Sequence, residues 1–254
     1  MKSDFDEGRR LEALAPIYFS PTLRGVNEKY DRFTMQQILP LCKGPDVLEL
    51  GCGYGLWTEA LLQISDKIIV VDASKTLIKN IQDRFGNKVT CHNCLFEHFE
   101  TEERFDTIVA AHILEHSADP VALLKRSSGW LKRDGKLIIV VPNAGSLHRR
   151  IGVLMGLLKN IDELSESDKL IGHRRAYTLT KLADDITESG LTVVEIDSIA
   201  LKPLSFTQME EWPDELLNAF FEIGRDLPVE WRNRLYAVAV LPQGGKKDSL
   251  NLKI

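Results

Sequence analysis

Residues 46–55 read "DVLELGCGYG", an aliphatic run with a glutamate inside it and then glycine at every second position, 51, 53 and 55. The run has strand length, and "LWTEALLQI" (56–64) has apolar residues at helical spacing, so the three glycines occupy a strand-to-helix turn. Glycine admits positive φ and lets a ligand come up against bare backbone, while the helix beyond begins with unpaired N–H groups. Such a turn suits a ligand carrying a carboxylate or a phosphate. Its spacing narrows the choice. A dinucleotide fingerprint requires its third glycine at position 56, which is Leu56, and a phosphate-binding P-loop requires a lysine that does not follow here.

The same alternation continues outward. "KIIVVD" (67–72), "KVTCHN" (88–93), "FDTIVAAH" (105–112) and "GKLIIVVP" (135–142) are further strand-length aliphatic runs, with helical patterns such as "SKTLIKNIQDRF" and "DPVALLKRSSGWL" between them. Strands alternating with crossover helices predict an α/β protein with a parallel sheet covered on both faces, its ligands at the carboxyl ends of the strands. Further on, "LTVVEIDSIALKPL" and "WRNRLYAVAVLP" read as the last two strands, the final one antiparallel, with helices in between. One domain is expected over residues 1–242. It divides into an N-terminal helical cover (1–44), a cofactor-binding core (45–143), an insertion or lid (144–177) and a C-terminal part of the sheet (178–242) with its own helical cover (205–228). The helix "TLTKLADDITESG" takes Thr178 or Thr180 as N-cap and Gly190 as its stop, and residues 243–254 read as a flexible tail.

The 254 residues carry 32 Lys and Arg against 37 Asp and Glu, a formal net charge of -5, with 44% hydrophobic content. That content supports a full core, and the acidic balance excludes a general nucleic-acid binder, which needs a basic footprint. The N-terminal stretch lacks the apolar segment of a signal peptide, and no run approaches the ~18 apolar residues of a membrane span. A soluble, cytoplasmic protein with no membrane partner is expected. Cys42, Cys52, Cys91 and Cys94 are too few for a disulfide framework, and "CHNC" (91–94) lacks the second ligand pair of a zinc site, so no metal is expected.

At "ELGCGYG" (49–55) the chain resembles the first motif of class I S-adenosylmethionine-dependent methyltransferases, of E-x-G-x-G-x-G form. The resemblance extends over about residues 45–143 through "VVDAS", "FDTIVAAHILEH" and "LKRDGKLIIVVPN". It implies a Rossmann-like, seven-stranded, mostly parallel sheet, and S-adenosyl-L-methionine as cofactor with S-adenosyl-L-homocysteine as product. It places Glu49, Gly51, Cys52, Gly53 and Gly55 against the cofactor. Asp72, with Ala73 beside it, would hold the ribose hydroxyls through a carboxylate that accepts both bonds. Ala111 and His112 would lie close to the methyl donor. Two departures stand out. The loop after the third strand usually carries an aspartate for the adenine amine, whereas "NCLFEHF" puts Cys94 there and leaves the adenine to Leu95 and Phe96; and Asp134 replaces a turn glycine.

A sulfonium methyl is already activated, so the protein need chiefly align a nucleophile at ~3 Å and exclude water. The acceptor should therefore sit beside the ends of strands four and five. There the insertion carries "HRR" twice, at 148–150 and 173–175, in an otherwise acidic chain. His148, Arg149, Arg150, Arg174 and Arg175, with Asn143 and Tyr177, are expected around an anionic acceptor, since guanidinium forks match phosphate and carboxylate oxygens. A solvated helix face is the alternative. Tyr18, Arg24 and Tyr30 of the N-terminal cover are further candidates for the pocket. Methyltransferases of small hydroxylated molecules tend to have a Gly-His segment where "GHRRAY" stands, which ranks His173 first as general base, then His112 and His148, with His116 structural. The insertion resembles enzymes of surface polysaccharides, so the expected reaction is O-methylation of a small phosphate- or nucleotide-activated sugar or related phospho-compound. A small-phenol or quinone-type O-methyltransferase and a noncatalytic S-adenosylmethionine-binding protein are the alternatives; Leu56 disfavours a nicotinamide oxidoreductase.

Overall fold

The computed structural model describes residues 2–20 and 24–243. Among them seven strands form one sheet: β1 (Val47–Leu50), β2 (Ile68–Asp72), β3 (Val89–Asn93), β4 (Phe105–Ala111), β5 (Leu131–Pro142), β6 (Thr192–Ile199) and β7 (Arg234–Val240). Their order is β3-β2-β1-β4-β5-β7-β6. β1 to β5 pair in parallel, and β7 runs antiparallel to both β5 and β6. This is the Rossmann-like, mostly parallel sheet that the resemblance implies, with the antiparallel last strand inserted between β5 and β6. The winding reverses at β1, which has β2 on one side and β4 on the other, and that switch point is where a ligand crevice opens at the carboxyl ends.

Successive strand residues enter opposite cores. Val70, Val109, Ile138 and Val140 join one, while Leu48, Leu50, Ile108, Leu137, Ile139 and Val141 join the other. Covering both faces explains why these strands read as continuous aliphatic runs and not as alternating ones. The helices are α1 (Lys2–Tyr18), α2 (Val26–Ile38), α3 (Leu56–Leu61), α4 (Lys75–Phe85), α5 (Pro120–Ser128), α6 (Leu147–Leu154), α7 (Glu166–Leu170), α8 (Leu179–Glu188) and α9 (Asp214–Gly224). Side-chain caps start several of them: Ser74 accepts from Leu77 N–H at 3.2 Å, Asp119 from Ala122 N–H at 2.9 Å, and Thr178 from Lys181 N–H at 3.2 Å. Gly190, at φ 88, follows α8 as its stop.

Two boundaries differ from the sequence reading. α3 ends at Leu61, because Gln63 and Ile64 donate to the carbonyls three residues back and tighten the last turn. β5 begins at Leu131 and takes in the "LKRDG" turn, the mismatch being absorbed by a register shift against β4 between Phe105 and Thr107. The insertion leaves the sheet after β5, builds α6 and α7, and returns to its starting point, where Ala144 N–H donates to Tyr177 O at 2.7 Å. No helix among the described residues is long and apolar enough to cross a membrane. The expected tail lies, from residue 244 on, outside the described residues.

Candidate active site

The chain leaves β1 through Gly51 (φ 75), Gly53 (φ 50) and Gly55 (φ 90) before α3 begins. A Cβ at Gly51 would collide with Ile113 Cδ1, and one at Gly55 would come within 2.7 Å of Ile81 Cδ1, so both sterics and φ select glycine. Asp72 ends β2 beside this turn. Its Oδ2 accepts from Cys52 N–H at 3.0 Å and its Oδ1 from Ser74 N–H at 2.8 Å. Burial pushes this carboxyl up and the two bonds pull it back, leaving it above its ordinary range. Behind the turn, Glu49 is 1% exposed; its Oε2 accepts from the Thr58 hydroxyl at 2.7 Å, while Oε1 is buried with no partner. Burial pushes the Glu49 carboxyl up to about 8. α1 lies across these elements, with Tyr18 over Gly53 and Glu12 accepting from the Ser74 hydroxyl at 2.6 Å. Between α1 and the strand ends is a cavity of about 730 Å³, lined among others by Leu11, Leu14, Tyr18, Gly51, Asp72, Ala73, Leu95, Phe96, Ile113 and His116.

The other side of the switch point is built from side chains. β4 ends at Ala111, and His112 takes φ 59, a left-handed conformation that histidine seldom adopts. His112 Nδ1 is 3.2 Å from Glu115 Oε1, and its Nε2 is buried without a hydrogen-bond partner, 3.8 Å from Asp31 Oδ1 on α2. Burial pushes the Glu115 carboxyl up, but the His112 hydrogen bond and the charges of His112, His116 and His173 outweigh it and hold the group below its ordinary range. The His116 ring meets His173 edge-on at 4.7 Å, its Nδ1 is 3.3 Å from Gly172 O, and burial pushes it down to about 4. His173 Nδ1 lies 3.4 Å from Asp168 Oδ1 on α7. Farther along, His148 bridges Ser146 Oγ at 3.0 Å and Lys202 Nζ at 3.3 Å; burial and then the Arg234 charge lower the Lys202 ammonium to about 7.

The model of a family described as a methyltransferase domain matches residues 23–196. The chain belongs to that family. A ubiquinone biosynthesis O-methyltransferase of Rhodopseudomonas palustris is 30% identical over 136 residues, 52% of this chain and 53% of that protein. One from Coxiella burnetii is 30% identical over 149 residues, 55% of this chain and 63% of that protein. The chain thus spans less than two thirds of the length of these curated relatives. Among solved structures, the N-methyltransferase NodS of Bradyrhizobium japonicum WM9 in complex with S-adenosyl-L-homocysteine has a TM-score of 0.54 at 18% identity, covering 84% of this chain and 88% of that one, a likeness of fold.

The chain carries a methyltransferase-family domain on a Rossmann-like fold, and its cavity fits S-adenosylmethionine. The volume falls within the roughly 300–1,000 Å³ of small-molecule sites. A carboxylate lines it at Asp72, apolar Leu95 and Phe96 offer a surface for a base, and Glu49 Oε1 is a buried acceptor that lacks a donor. Of the residues expected at the cofactor, Gly51, Asp72, Ala73, Leu95 and Phe96 come together in the lining, with Glu49 and Cys52 behind them. Cys94, Ala111, His112, Gly53 and Gly55 stand outside the lining: Cys94 and Ala111 pack against the cores, His112 turns its Nε2 toward Asp31, Gly53 faces Tyr18, and Gly55 faces Ile81 and Arg84.

The acceptor side of the methyltransferase differs from the sequence reading. The two "HRR" runs form no anion cradle. Arg149 donates to Ile161 O at 2.9 Å, to Asp168 at 2.9 Å and to Glu163 O; Arg150 to Gly145 O at 2.6 Å; Arg174 to Glu7 at 2.7 Å; and Arg175 to Leu114 O at 2.7 Å and Ser117 O. The physical reason is that the insertion and the loop after β4 are largely irregular, so their carbonyls need donors, and guanidinium forks supply several at once. Tyr30 is 1% exposed and donates to Leu201 O at 2.6 Å; Tyr177 is fully buried and donates to Asp185 at 2.9 Å; both are core residues. Asn143 donates to Arg232 O at 2.7 Å and accepts from Gly145 N–H at 2.8 Å, closing the neck of the insertion. Arg24 lies exposed with its guanidinium 5.4 Å from the Tyr54 ring centroid, while Tyr18 does line the cavity. Glu12, Asp31, Glu115 and Lys202 escaped the sequence reading. Only Glu115 had a signal, three residues after His112 inside "AHILEH".

Proposed function

We propose that this protein transfers the methyl group of S-adenosylmethionine to an oxygen of a small hydroxylated acceptor of the phenol or quinone-precursor type, with His112 as the general base. The cofactor supplies a methyl already activated on sulfur. The observation that carries the reading is the His112–Glu115 pair. With Nδ1–H directed at the buried carboxylate, Nε2 keeps its lone pair and has no hydrogen-bond partner, Asp31 Oδ1 standing 3.8 Å away, which is the tautomer needed to take a proton from a hydroxyl. His112 follows directly on the carboxyl end of β4, its ring set between Glu115 and Asp31 of α2. A phosphate or carboxylate oxygen has no proton to lose and no use for such a base. Asp72 and the glycine turn would hold the cofactor, and α1 with Tyr18 would exclude water.

Two further facts support the reading: the curated relatives named above are O-methyltransferases of ubiquinone biosynthesis, and the arginines that spoke for an anionic sugar are bonded to the chain itself. The test is release of S-adenosyl-L-homocysteine with a panel of catechols and monophenols set against nucleotide sugars and sugar phosphates. Turnover is expected with the phenolic panel. Turnover with the phosphorylated acceptors alone, or with amines alone, would overturn the proposal.

A further inference from the structure

Three polar groups from separate elements meet at Asp31 of α2 and leave their hydrogen bonding incomplete. The first is Asp31 itself, 8% exposed and fixed by Arg234 at the start of β7. That guanidinium donates to Asp31 Oδ1 at 2.5 Å, to Thr34 Oγ1 at 3.1 Å and to Asn27 Oδ1 at 3.0 Å. Asp31 is therefore an oriented carboxylate, and its Oδ2 has no donor among the described residues. The second is His112 Nε2, buried without a hydrogen-bond partner and 3.8 Å from Asp31 Oδ1. The third is the Tyr54 hydroxyl, from the glycine turn between Gly53 and Gly55, which is also buried without a partner. Burial and then the Asp31 charge raise the Tyr54 phenol above its ordinary range, so it is a donor at neutral pH. A buried donor near a carboxylate that it does not bond is costly in the ligand-free fold. A group that both gives and accepts a hydrogen bond would satisfy the two together, and a hydroxyl is such a group.

We propose that Asp31 and Tyr54 are specificity-determining residues that hold the hydroxyl next to the one being methylated, so that the protein selects vicinal dihydroxy acceptors. This role rests on the O-methyltransferase reading with His112 as base. The reacting hydroxyl gives its proton to His112 Nε2 as its oxygen takes the methyl, the S–C bond breaks and that electron pair stays on sulfur. The neighbouring hydroxyl donates to Asp31 and accepts from Tyr54. The 3.8 Å between Nε2 and Oδ1 is too long for a bond between them and suits two acceptors that serve adjacent donors on one molecule. The same arrangement ends methylation after one round. In the monomethyl ether the ether oxygen has no proton for Asp31, so presenting the remaining hydroxyl to His112 sets a lone pair against a carboxylate.

The test is the rate of S-adenosyl-L-homocysteine release by the full chain with catechol, its monomethyl ether and phenol. The wild-type kcat/KM for catechol is expected to exceed those of the other two by at least about 100-fold, since a site built to bond a hydroxyl rejects molecules that lack it. Asp31→Asn puts an amide donor beside the ether oxygen, and should cut the preference for catechol over the ether at least about tenfold, raising the rate with the ether itself. Tyr54→Phe should raise KM for catechol about tenfold and leave phenol unchanged. Should Asp31→Asn fail to fold for want of a partner for Arg234, Tyr54→Phe decides, because its hydroxyl bonds nothing in the fold. Equal wild-type kcat/KM for catechol and phenol would overturn the proposal and leave O-methylation standing. So would variants that lower catechol and phenol by one common factor, which is the mark of a structural role. No turnover with any of the three overturns the phenolic reading and this assignment with it.

Discussion

The two sides of the switch point are built in different ways. On the β1–β2 side the work falls to the backbone: glycines strip the turn, and Asp72 is positioned by two main-chain N–H groups from residues 52 and 74. On the β4–β5 side it falls to side chains drawn from far apart, His116 reaching Gly172 across 56 positions and Arg174 reaching Glu7 across 167. A site made of backbone depends on residues that only one conformation tolerates. A site made of side chains uses residue types that serve structure equally well, and only their partners reveal which purpose each one has.

The contrast can be broken first at Gly51. A Gly51→Val substitution forces a side chain into Ile113 at a φ of 75, and calorimetry should show S-adenosyl-L-homocysteine affinity lowered by more than about 100-fold, since left-handed strain and lost backbone approach act together. A fully folded variant with wild-type affinity would show that the turn is not the cofactor's cradle. Asp72→Ala should cost less, about 1.5–3 kcal/mol of the same binding free energy, by removing one charged hydrogen-bonding group. No change would mean that the carboxylate serves only Cys52 and Ser74.

Much of the first side was legible for that reason. The glycines, the acid at the end of β2 and the aliphatic strands are local signals, and they gave the sheet, the cofactor and the Gly51, Asp72, Ala73, Leu95 and Phe96 part of the cavity lining. The second side was legible only as an inventory. Both "HRR" runs were visible, but nothing in their spacing says that Arg175 caps the carbonyls of Leu114 and Ser117. Nor does it say that Asp31 meets Arg234 at 2.5 Å from 203 positions away. Tyr30 and Tyr177 misled because tyrosine suits a pocket wall and a core equally, its hydroxyl needing just one acceptor. Cys94 and Ala111 misled for a different reason: a strand-end position near a ligand can point into the core by a single step of the pleat.

Smaller effects sharpen the comparison. Burial raises Glu49 from 4.5 to about 8, so its neutral form is favoured in the ligand-free fold. The stabilisation from this group is fully present below its unfolded value and is lost as pH rises toward 8. Thermal melts without cofactor should therefore fall between pH 5 and about 8, and Glu49→Gln should flatten that segment; an identical slope in the variant would remove Glu49 as its source. Tyr30→Phe should lower unfolding free energy by about 1 kcal/mol, because Leu201 O loses its donor, and leave the kinetics untouched. A raised acceptor KM there would return Tyr30 to the pocket.

The central claim is that the acceptor side works through a histidine–carboxylate centre and not through a cationic cradle. Steady-state kinetics of His112→Gln and Arg174→Ala, measured side by side with a catechol acceptor, test it most directly. The account predicts that His112→Gln lowers kcat by ~10²- to 10⁴-fold with cofactor affinity preserved, while Arg174→Ala stays close to wild type in both kcat and acceptor KM. A near-normal kcat in His112→Gln together with a large rise in acceptor KM in Arg174→Ala would contradict it.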